Sequence, residues 1–218
     1  MNLRMKRRER SLKSSRGGRY MKKFKNSSWV PPLSNREIAC RAYRLVQRVA
    51  PECLCEPRPF PVVDLLEFHL ERLTGFSLRV EELPPSMEAY IDTVARELVL
   101  SLSVYEELVS ADSGRPRFTA THEVAHIDMH AGFFQVLREK GLRPFRAHRG
   151  ALRPFEDSEH QADVYASAVL MPQPAVKRLV QACRRRRLTK EEIIKIMAKT
   201  FRVSRKAAMI RLKTYKEY

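Results

Sequence analysis

The chain has 218 residues, of which 44% are hydrophobic, and this is enough to bury the core of one sizeable domain. No run of 18 apolar residues occurs and no apolar stretch follows the basic N-terminus, so we expect neither a membrane-spanning helix nor a secretory signal. The formal net charge of +17 lies at the two ends, because residues 1–26 carry +10, residues 177–218 carry +12 and the segment between them carries −5.

The first predicted element is a basic, disordered arm over residues 1–33, which are polar, contain Gly and Ser, and close on two prolines. A capping box follows, with Ser34 at the cap and Glu37 three residues later. The pattern predicts a helix that ends before Pro51, with one apolar face formed by Ile38, Ala42, Leu45 and Val49.

The residue pattern that follows this helix predicts a small sheet. A second helix runs to Thr74 and ends at Gly75, and the alternation from Phe76 to Leu83 indicates a strand. A short hairpin or meander follows over residues 90–102. Together these elements predict an α+β fold in which a small sheet packs with helices.

The second half of the chain reads as helices. The predicted bounds are 117–134, 156–171, 173–182, 189–199 and a last helix from Ser204, with an irregular stretch over 141–154. Thr189 and Glu192 repeat the capping box. We therefore divide the chain into the arm 1–33, a central domain 34–176 and a basic helical C-terminal segment 177–218.

A metal-binding pattern lies in the helix predicted over 117–134. His122-Glu123-Val124-Ala125-His126 is an HExxH sequence, and residues four apart share one face of a helix, so both imidazoles can reach one ion. A zinc ion lowers the pKa of its bound water to about 7, and Glu123 is placed to take a proton from that water as general base.

A catalytic zinc needs a third protein ligand. His130 continues the four-residue spacing, but three residues over eight positions of a straight helix cannot close around one ion. His148 falls in the irregular stretch, whereas Glu159 lies on the next predicted helix, one turn before Asp163. This Glu-x-x-x-Asp arrangement is similar to that of thermolysin-type gluzincins, so we predict Zn²⁺ between His122, His126 and Glu159. Asp163 then holds the free N–H of a ligand histidine.

Several stretches resemble the ImmA/IrrE family of metallopeptidases over roughly residues 36–215. They are Arg117–His126, Glu159–Ala166 with Leu170-Met171-Pro172, Pro61–Leu66 with Leu83-Pro84-Pro85, and Phe201–Ala208. The resemblance implies a cytoplasmic protease that cuts one or a few regulatory proteins, often helix-turn-helix repressors of mobile elements or stress genes. The oxyanion donor stays open between His148, His160 and Tyr165.

Two other functions remain open at this point. Residues 189–199 and 204–215 can form a helix-turn-helix with a basic second helix, so the chain can be a DNA-binding regulator. Their apolar positions equally suit packing on the catalytic body, and the third reading is a metal-bound scaffold without proteolytic activity. Basic ends can bind nucleic acid, although we expect a protein substrate to be the main partner. Four cysteines, two of them one residue apart, do not suit a disulfide framework, so we expect reduced thiols and a cytoplasmic location.

Overall fold

The computed structural model of the chain describes residues 26–110, 114–148 and 152–216. The α-helices are α1 (Asn35–Val49), α2 (Glu52–Cys55), α3 (Val62–Asp64), α4 (Leu70–Thr74), α5 (Leu102–Ser110), α6 (Gly114–Glu139), α7 (Ser158–Leu170), α8 (Gln173–Arg185), α9 (Lys190–Phe201) and α10 (Arg205–Thr214). The strands are β1 (Asn26–Ser28), β2 (Ser77–Glu81), β3 (Ala89–Asp92), β4 (Glu97–Ser101) and β5 (Arg146–His148). A π-helical turn, Leu65–His69, joins α3 to α4, and a 3₁₀ turn, Pro154–Glu156, precedes α7.

The predicted α+β fold is confirmed. Three strands form a mixed sheet in the order β2–β4–β3, with β2 parallel to β4 and β3 antiparallel to it. The central strand β4 is the most apolar, and its residues Leu98, Val99 and Leu100 are fully buried. This sheet lies against the helices, and α6 contacts both β3 and β4.

The N-terminal segment differs from the prediction of a disordered arm over residues 1–33. Residues 26–28 form β1, which pairs antiparallel with β5 inside the stretch 141–154 that was predicted to be irregular. Val30 is fully buried, and Trp29 pairs with Asp157 just before α7. The composition of the arm is dominated by its charged first 25 residues, which lie outside the described residues, and this concealed a short apolar segment that packs on α7.

Helix α1 begins as its capping box predicts. The Ser34 hydroxyl accepts from the Glu37 backbone N–H, and the Glu37 carboxylate accepts from the Ser34 backbone N–H. Ile38 and Ala42 are fully buried on its apolar face, which packs on α7. The capping box of α9 at Thr189 is also present.

Helices α6 and α7 form the centre of the molecule. Helix α6 extends beyond the predicted bounds 117–134 at both ends, and it packs lengthwise on α7. Both helices carry fully buried alanines, Ala120 and Ala125 on α6 and Ala162 and Ala166 on α7. Small side chains of this kind are compatible with a short distance between packed helices.

The C-terminal helices belong to the same hydrophobic core. Phe201 and Met197 are fully buried in one cluster with residues of α1, α6 and α7. The buried Arg211 side chain donates from Nε to the Met171 carbonyl at 3.0 Å, which joins α10 to the end of α7. The boundary predicted between residues 176 and 177 falls inside α8, so the basic segment continues the body of the protein without a linker.

No helix within the described ranges combines the length and apolar character needed to cross a membrane. The four cysteines are free thiols, as expected, with Cys53 and Cys183 buried and Cys40 and Cys55 exposed.

We predict opposite stability effects for two glycine-to-alanine substitutions on α6. A Cβ at Gly114 would lie 2.6 Å from backbone atoms of Val203 and Ser204, whereas a Cβ at Gly132 meets nothing within 4 Å. Because the backbone cannot yield as a flexible side chain does, Gly114→Ala should lower the free energy of unfolding by about 1–3 kcal/mol. Gly132→Ala should raise it by about 0.5–1 kcal/mol, since alanine is the better helix former.

Urea denaturation followed by circular dichroism measures both changes, and Gly132→Ala is the matched control on the same helix. An unchanged or raised stability of Gly114→Ala would mean that the turn between α9 and α10 does not press on the start of α6.

Candidate metal centre

The three predicted ligands meet at the contact between α6 and α7. His122 and His126 lie on consecutive turns of α6, and their Nε2 atoms are 3.0 Å apart. Glu159, in the first turn of α7, places Oε2 3.4 Å from Nε2 of His122 and Oε1 3.3 Å from Nε2 of His126. Both histidines are buried, each with 9% of its surface exposed.

The spacing of these atoms fits a metal ion. A tetrahedral site with bonds of about 2.0–2.2 Å separates neighbouring ligand atoms by about 3.3–3.6 Å. The three separations of 3.0, 3.3 and 3.4 Å approach this range. The three side chains therefore form a group that could hold a metal ion, and three ligands leave a fourth position open.

Asp163 contacts the His122 ring at Nδ1, the nitrogen that does not face Glu159. Its Oδ1 lies 2.9 Å from Nδ1 of His122. An ionised carboxylate only accepts hydrogen bonds, so Nδ1 of His122 carries the proton and donates it. When an ion displaces the proton on Nε2, the lone pair of this nitrogen faces Glu159 and His126, which is the form of histidine that binds metal.

The electrostatics of the group favour a positive charge. Burial alone lowers the pKa of His122, but the hydrogen bonds with Asp163 and Glu159, together with the charge of Glu123, raise it to about 10. Burial alone raises the pKa of Glu159, yet the adjacent imidazoles of His122 and His126 hold that pKa well below the usual range. A site that binds a proton this strongly is also suited to a metal cation, which competes for the same lone pairs.

Glu123 lies on α6 between the two histidines and is half-buried. Its carboxylate is close enough to His122 for its charge to act on the pKa of that ring. It is not one of the three grouped ligands, which leaves it available for proton transfer.

Asp157 and strand β1 position the start of α7. The Asp157 carboxylate caps the helix by accepting from the backbone N–H of Glu159 at 2.8 Å and of His160 at 3.2 Å. The Ser28 N–H donates to the Ser158 hydroxyl at 3.2 Å, so β1 joins the same turn. Both contacts fix the backbone from which Glu159 reaches the two histidines.

Two residues of the site were not identified from the sequence as part of it. His130 lies outside the ligand group, as predicted, but its Nδ1 is 3.0 Å from Nδ1 of His126. Its Nε2 is 3.0 Å from Oε1 of the fully buried Gln161. Burial, followed by the influence of His126, lowers the pKa of His130 to about 3. The sequence did carry a signal for Gln161, because a glutamine stands at a core position of the second motif, between Glu159 and Asp163.

The three candidates for the oxyanion donor lie in different surroundings in the structure. Tyr165 is fully buried and interacts with Asp128, and the pKa of its hydroxyl is raised by burial and by that carboxylate. It lines a cavity with Arg41 and Arg44 that contains none of the three ligands, so it is not an oxyanion donor. His148 pairs with Asn26 in the β1–β5 sheet, and His160 lines a cavity beside Asp163.

Comparison with known proteins gives the fold and little else. No family model matches the chain, and no curated protein matches it. Among solved structures it is similar to a Mycobacterium tuberculosis transcriptional regulator, with 13% sequence identity and a TM-score of 0.54. The match covers 82% of this chain but only 46% of that chain, so this protein spans less than half the length of the regulator. At this identity the likeness shows the fold alone.

We predict that metal binding depends on the three grouped side chains. His122→Ala, His126→Ala and Glu159→Ala should each lose stoichiometric metal, because two remaining ligands hold an ion far more weakly. His160→Ala and Glu156→Ala are matched controls, since both residues flank the group on α7 or just before it without contributing an atom to it. Elemental analysis of the purified proteins measures the content. Full metal content in Glu159→Ala would show that the ligand set is wrong.

We also predict the pH dependence of metal affinity. The proton on His122, whose pKa is about 10, competes with the ion, so affinity falls as pH falls below that pKa. The apparent affinity should still rise about tenfold per pH unit between pH 7 and 8.5, where an ordinary histidine of pKa about 6.5 has already lost its proton. Competition titration with a chelator measures the slope, and Asp163→Asn should flatten it. A flat profile in the unsubstituted protein would contradict the raised pKa.

Proposed function

We propose that this protein is a zinc-dependent metallo-endopeptidase that hydrolyses a peptide bond in a specific cytoplasmic regulatory protein. The observation that carries the proposal is the ligand group, whose atoms lie 3.0–3.4 Å apart, with Glu123 between its two histidines. Two imidazoles and one carboxylate with an open fourth position are the ligand set of thermolysin-type catalytic zinc sites. The resemblance of Arg117–His126 and Glu159–Ala166 to the ImmA/IrrE family supports the same assignment.

The protein side chains divide the work of the reaction. A zinc ion, when bound by His122, His126 and Glu159, supplies Lewis acidity toward the scissile carbonyl and the attacking water. The Glu123 carboxylate accepts a proton from that water and then delivers it to the nitrogen of the leaving amine. Asp163 keeps the proton of His122 on Nδ1, so Nε2 stays available throughout.

A cavity beside the site supports a role for α10 in substrate selection. It has a volume of about 620 Å³ and adjoins Asp163, which touches the ligand His122. Phe118 and Val164 contribute apolar surface from the catalytic helices, and Ile210 contributes it from α10. Since α10 forms one wall, we propose that the C-terminal segment selects the protein that is cleaved.

The charge of the C-terminal segment supports a protein partner with an acidic surface. Arg184, Arg185, Arg186 and Arg187 are all exposed at the end of α8 and in the turn that follows. A basic surface of this kind accelerates the approach of an acidic partner and does so less at high salt. The family resemblance makes a DNA-binding repressor of the helix-turn-helix type the partner that we propose.

The alternative is a DNA-binding regulator in which α9 and α10 form a helix-turn-helix-like pair and the metal is structural. One observation favours it: Lys206 and Lys213 are exposed on α10. Against it, Phe201 and Ala208 bury one face of the pair in the common core, and Arg205 is 3.3 Å from Glu191 of α9, which neutralises part of that surface.

We predict that Glu123→Gln retains zinc and the fold but abolishes cleavage. The amide has the size of the carboxylate but cannot accept the proton of the water, so turnover should fall by about 10²–10⁴-fold. The measurement is mass spectrometry of new protein N-termini in cells that produce either the unsubstituted protein or the variant. Glu139→Gln, an exposed position on the same helix, is the matched control and should leave cleavage unchanged.

The same experiment separates the two functions. New N-termini that appear equally with Glu123→Gln would exclude Glu123 as the general base. The DNA-binding alternative is favoured by a different result. In that case no cleavage occurs, and a change in gene expression that depends on the salt concentration persists in both Glu123→Gln and Glu159→Ala.

A further inference from the structure

We infer that Gln161 and His130 are positioning residues that determine which ring nitrogen of His126 carries its proton. They do so through a chain of hydrogen bonds that begins at the N-terminal segment and ends at the ligand. The inference rests on the metal centre proposed above, but it concerns hydrogen bonds that exist within the protein itself.

The direction of the chain is set at Gln161. Its side-chain Nε2 lies 3.0 Å from the Pro31 carbonyl oxygen and 2.7 Å from the Phe155 carbonyl oxygen. Both carbonyls only accept hydrogen bonds, so the NH₂ group must face them. The opposite amide orientation would place an oxygen against two oxygens in a fully buried position. Oε1 of Gln161 therefore points away from the N-terminal segment, as an acceptor.

The next bond transmits that direction to His130. Oε1 of Gln161 lies 3.0 Å from Nε2 of His130, and an amide oxygen cannot donate, so Nε2 carries a proton. A neutral imidazole has only one N–H, which leaves Nδ1 of His130 as an acceptor. His130 has 1% of its surface exposed, so water does not compete for this bond.

The last bond reaches the ligand. Nδ1 of His130 lies 3.0 Å from Nδ1 of His126, and since the first is an acceptor the second must be the donor. His126 then presents an unprotonated Nε2 toward His122 and Glu159. The two ligand histidines thus each hold a proton on Nδ1 by different means: a carboxylate at His122, and a neutral histidine–glutamine pair at His126.

This arrangement gives the N-terminal segment a function at the metal centre. The Pro31 carbonyl helps to hold the amide of Gln161, and the Leu33 N–H donates to the Phe155 carbonyl at 3.0 Å, the same oxygen that accepts from Gln161. The packing of residues 26–33 on the start of α7 and the tautomer of His126 are therefore coupled.

Nitrogen-15 NMR of the histidine rings tests the inference directly. In metal-free protein at pH 8, long-range correlations should show the proton of His126 on Nδ1 and that of His130 on Nε2. This measurement requires neither zinc binding nor proteolysis, so it can succeed or fail independently of the proposed function. A proton on Nε2 of His126 in the unsubstituted protein would overturn the inference without any variant.

Three variants supply the second readout, which is zinc affinity by chelator competition. His130→Leu removes the acceptor and should weaken zinc binding about 10–100-fold, the usual effect of losing a group that orients a ligand. His130→Gln can accept from His126 and donate to Gln161, so its affinity should stay within about threefold of the unsubstituted protein. His69→Leu is the control, because His69 contacts Arg72 and lies outside both the ligand group and the hydrogen-bonded chain, so affinity should be unchanged.

Circular dichroism of each metal-free variant checks that it is folded. Equal weakening by His130→Leu and His130→Gln would show that the imidazole acts only by filling space, and an unweakened His130→Leu would show that it does not position the ligand. Either result would overturn the inference.

Discussion

The close packing of α6 on α7 is the constraint on which the rest of the structure depends. Ala120 and Ala125 of one helix and Ala162 and Ala166 of the other are fully buried. The packing of the two helices brings Glu159 on one backbone within 3.4 Å of both histidines on the other. Larger side chains at this contact would separate the three ligand atoms before they altered the ligands themselves, because the interhelical distance depends on side-chain size. Burial opposes both charges, but the carboxylates and imidazoles lie so close together that their attraction prevails, which raises the pKa of His122 and lowers that of Glu159.

The sequence predicted the parts of the site that depend on local spacing. Residues four apart on one helix share a face, so the pairs His122–His126 and Glu159–Asp163 were available from the sequence alone. Both capping boxes were predicted for the same reason, since each satisfies backbone groups within three residues. The association of the two motifs around one ion was also predicted, from a likeness to known zinc sites and from the chemistry of the ligand set.

The sequence did not predict the contacts that Gln161 makes with distant residues, or the pairing of β1 with β5. Gln161 is held by residues 31 and 155 and in turn contacts residue 130, and no periodicity in the chain links these positions. Strand β1 was missed because three polar residues pair with a partner more than one hundred positions away. The boundary at residue 177 was drawn from charge, but basic residues lie on the exposed faces of α8, α9 and α10 while Val180, Met197 and Phe201 join the common core. Charge describes the surface of these helices and gives no information on where a domain ends.

The hydrogen bond from Gln161 to the Pro31 carbonyl has a consequence for how the catalytic region can be divided from the rest of the chain. A shortened protein that begins at Ser34, where composition places the first helix, retains every proposed ligand and every residue of the HExxH sequence. It nevertheless loses Trp29, Val30 and one of the two acceptors that orient the Gln161 amide. The smallest unit that preserves the surroundings of His126 therefore includes residues 26–33, within what the sequence presents as a tail.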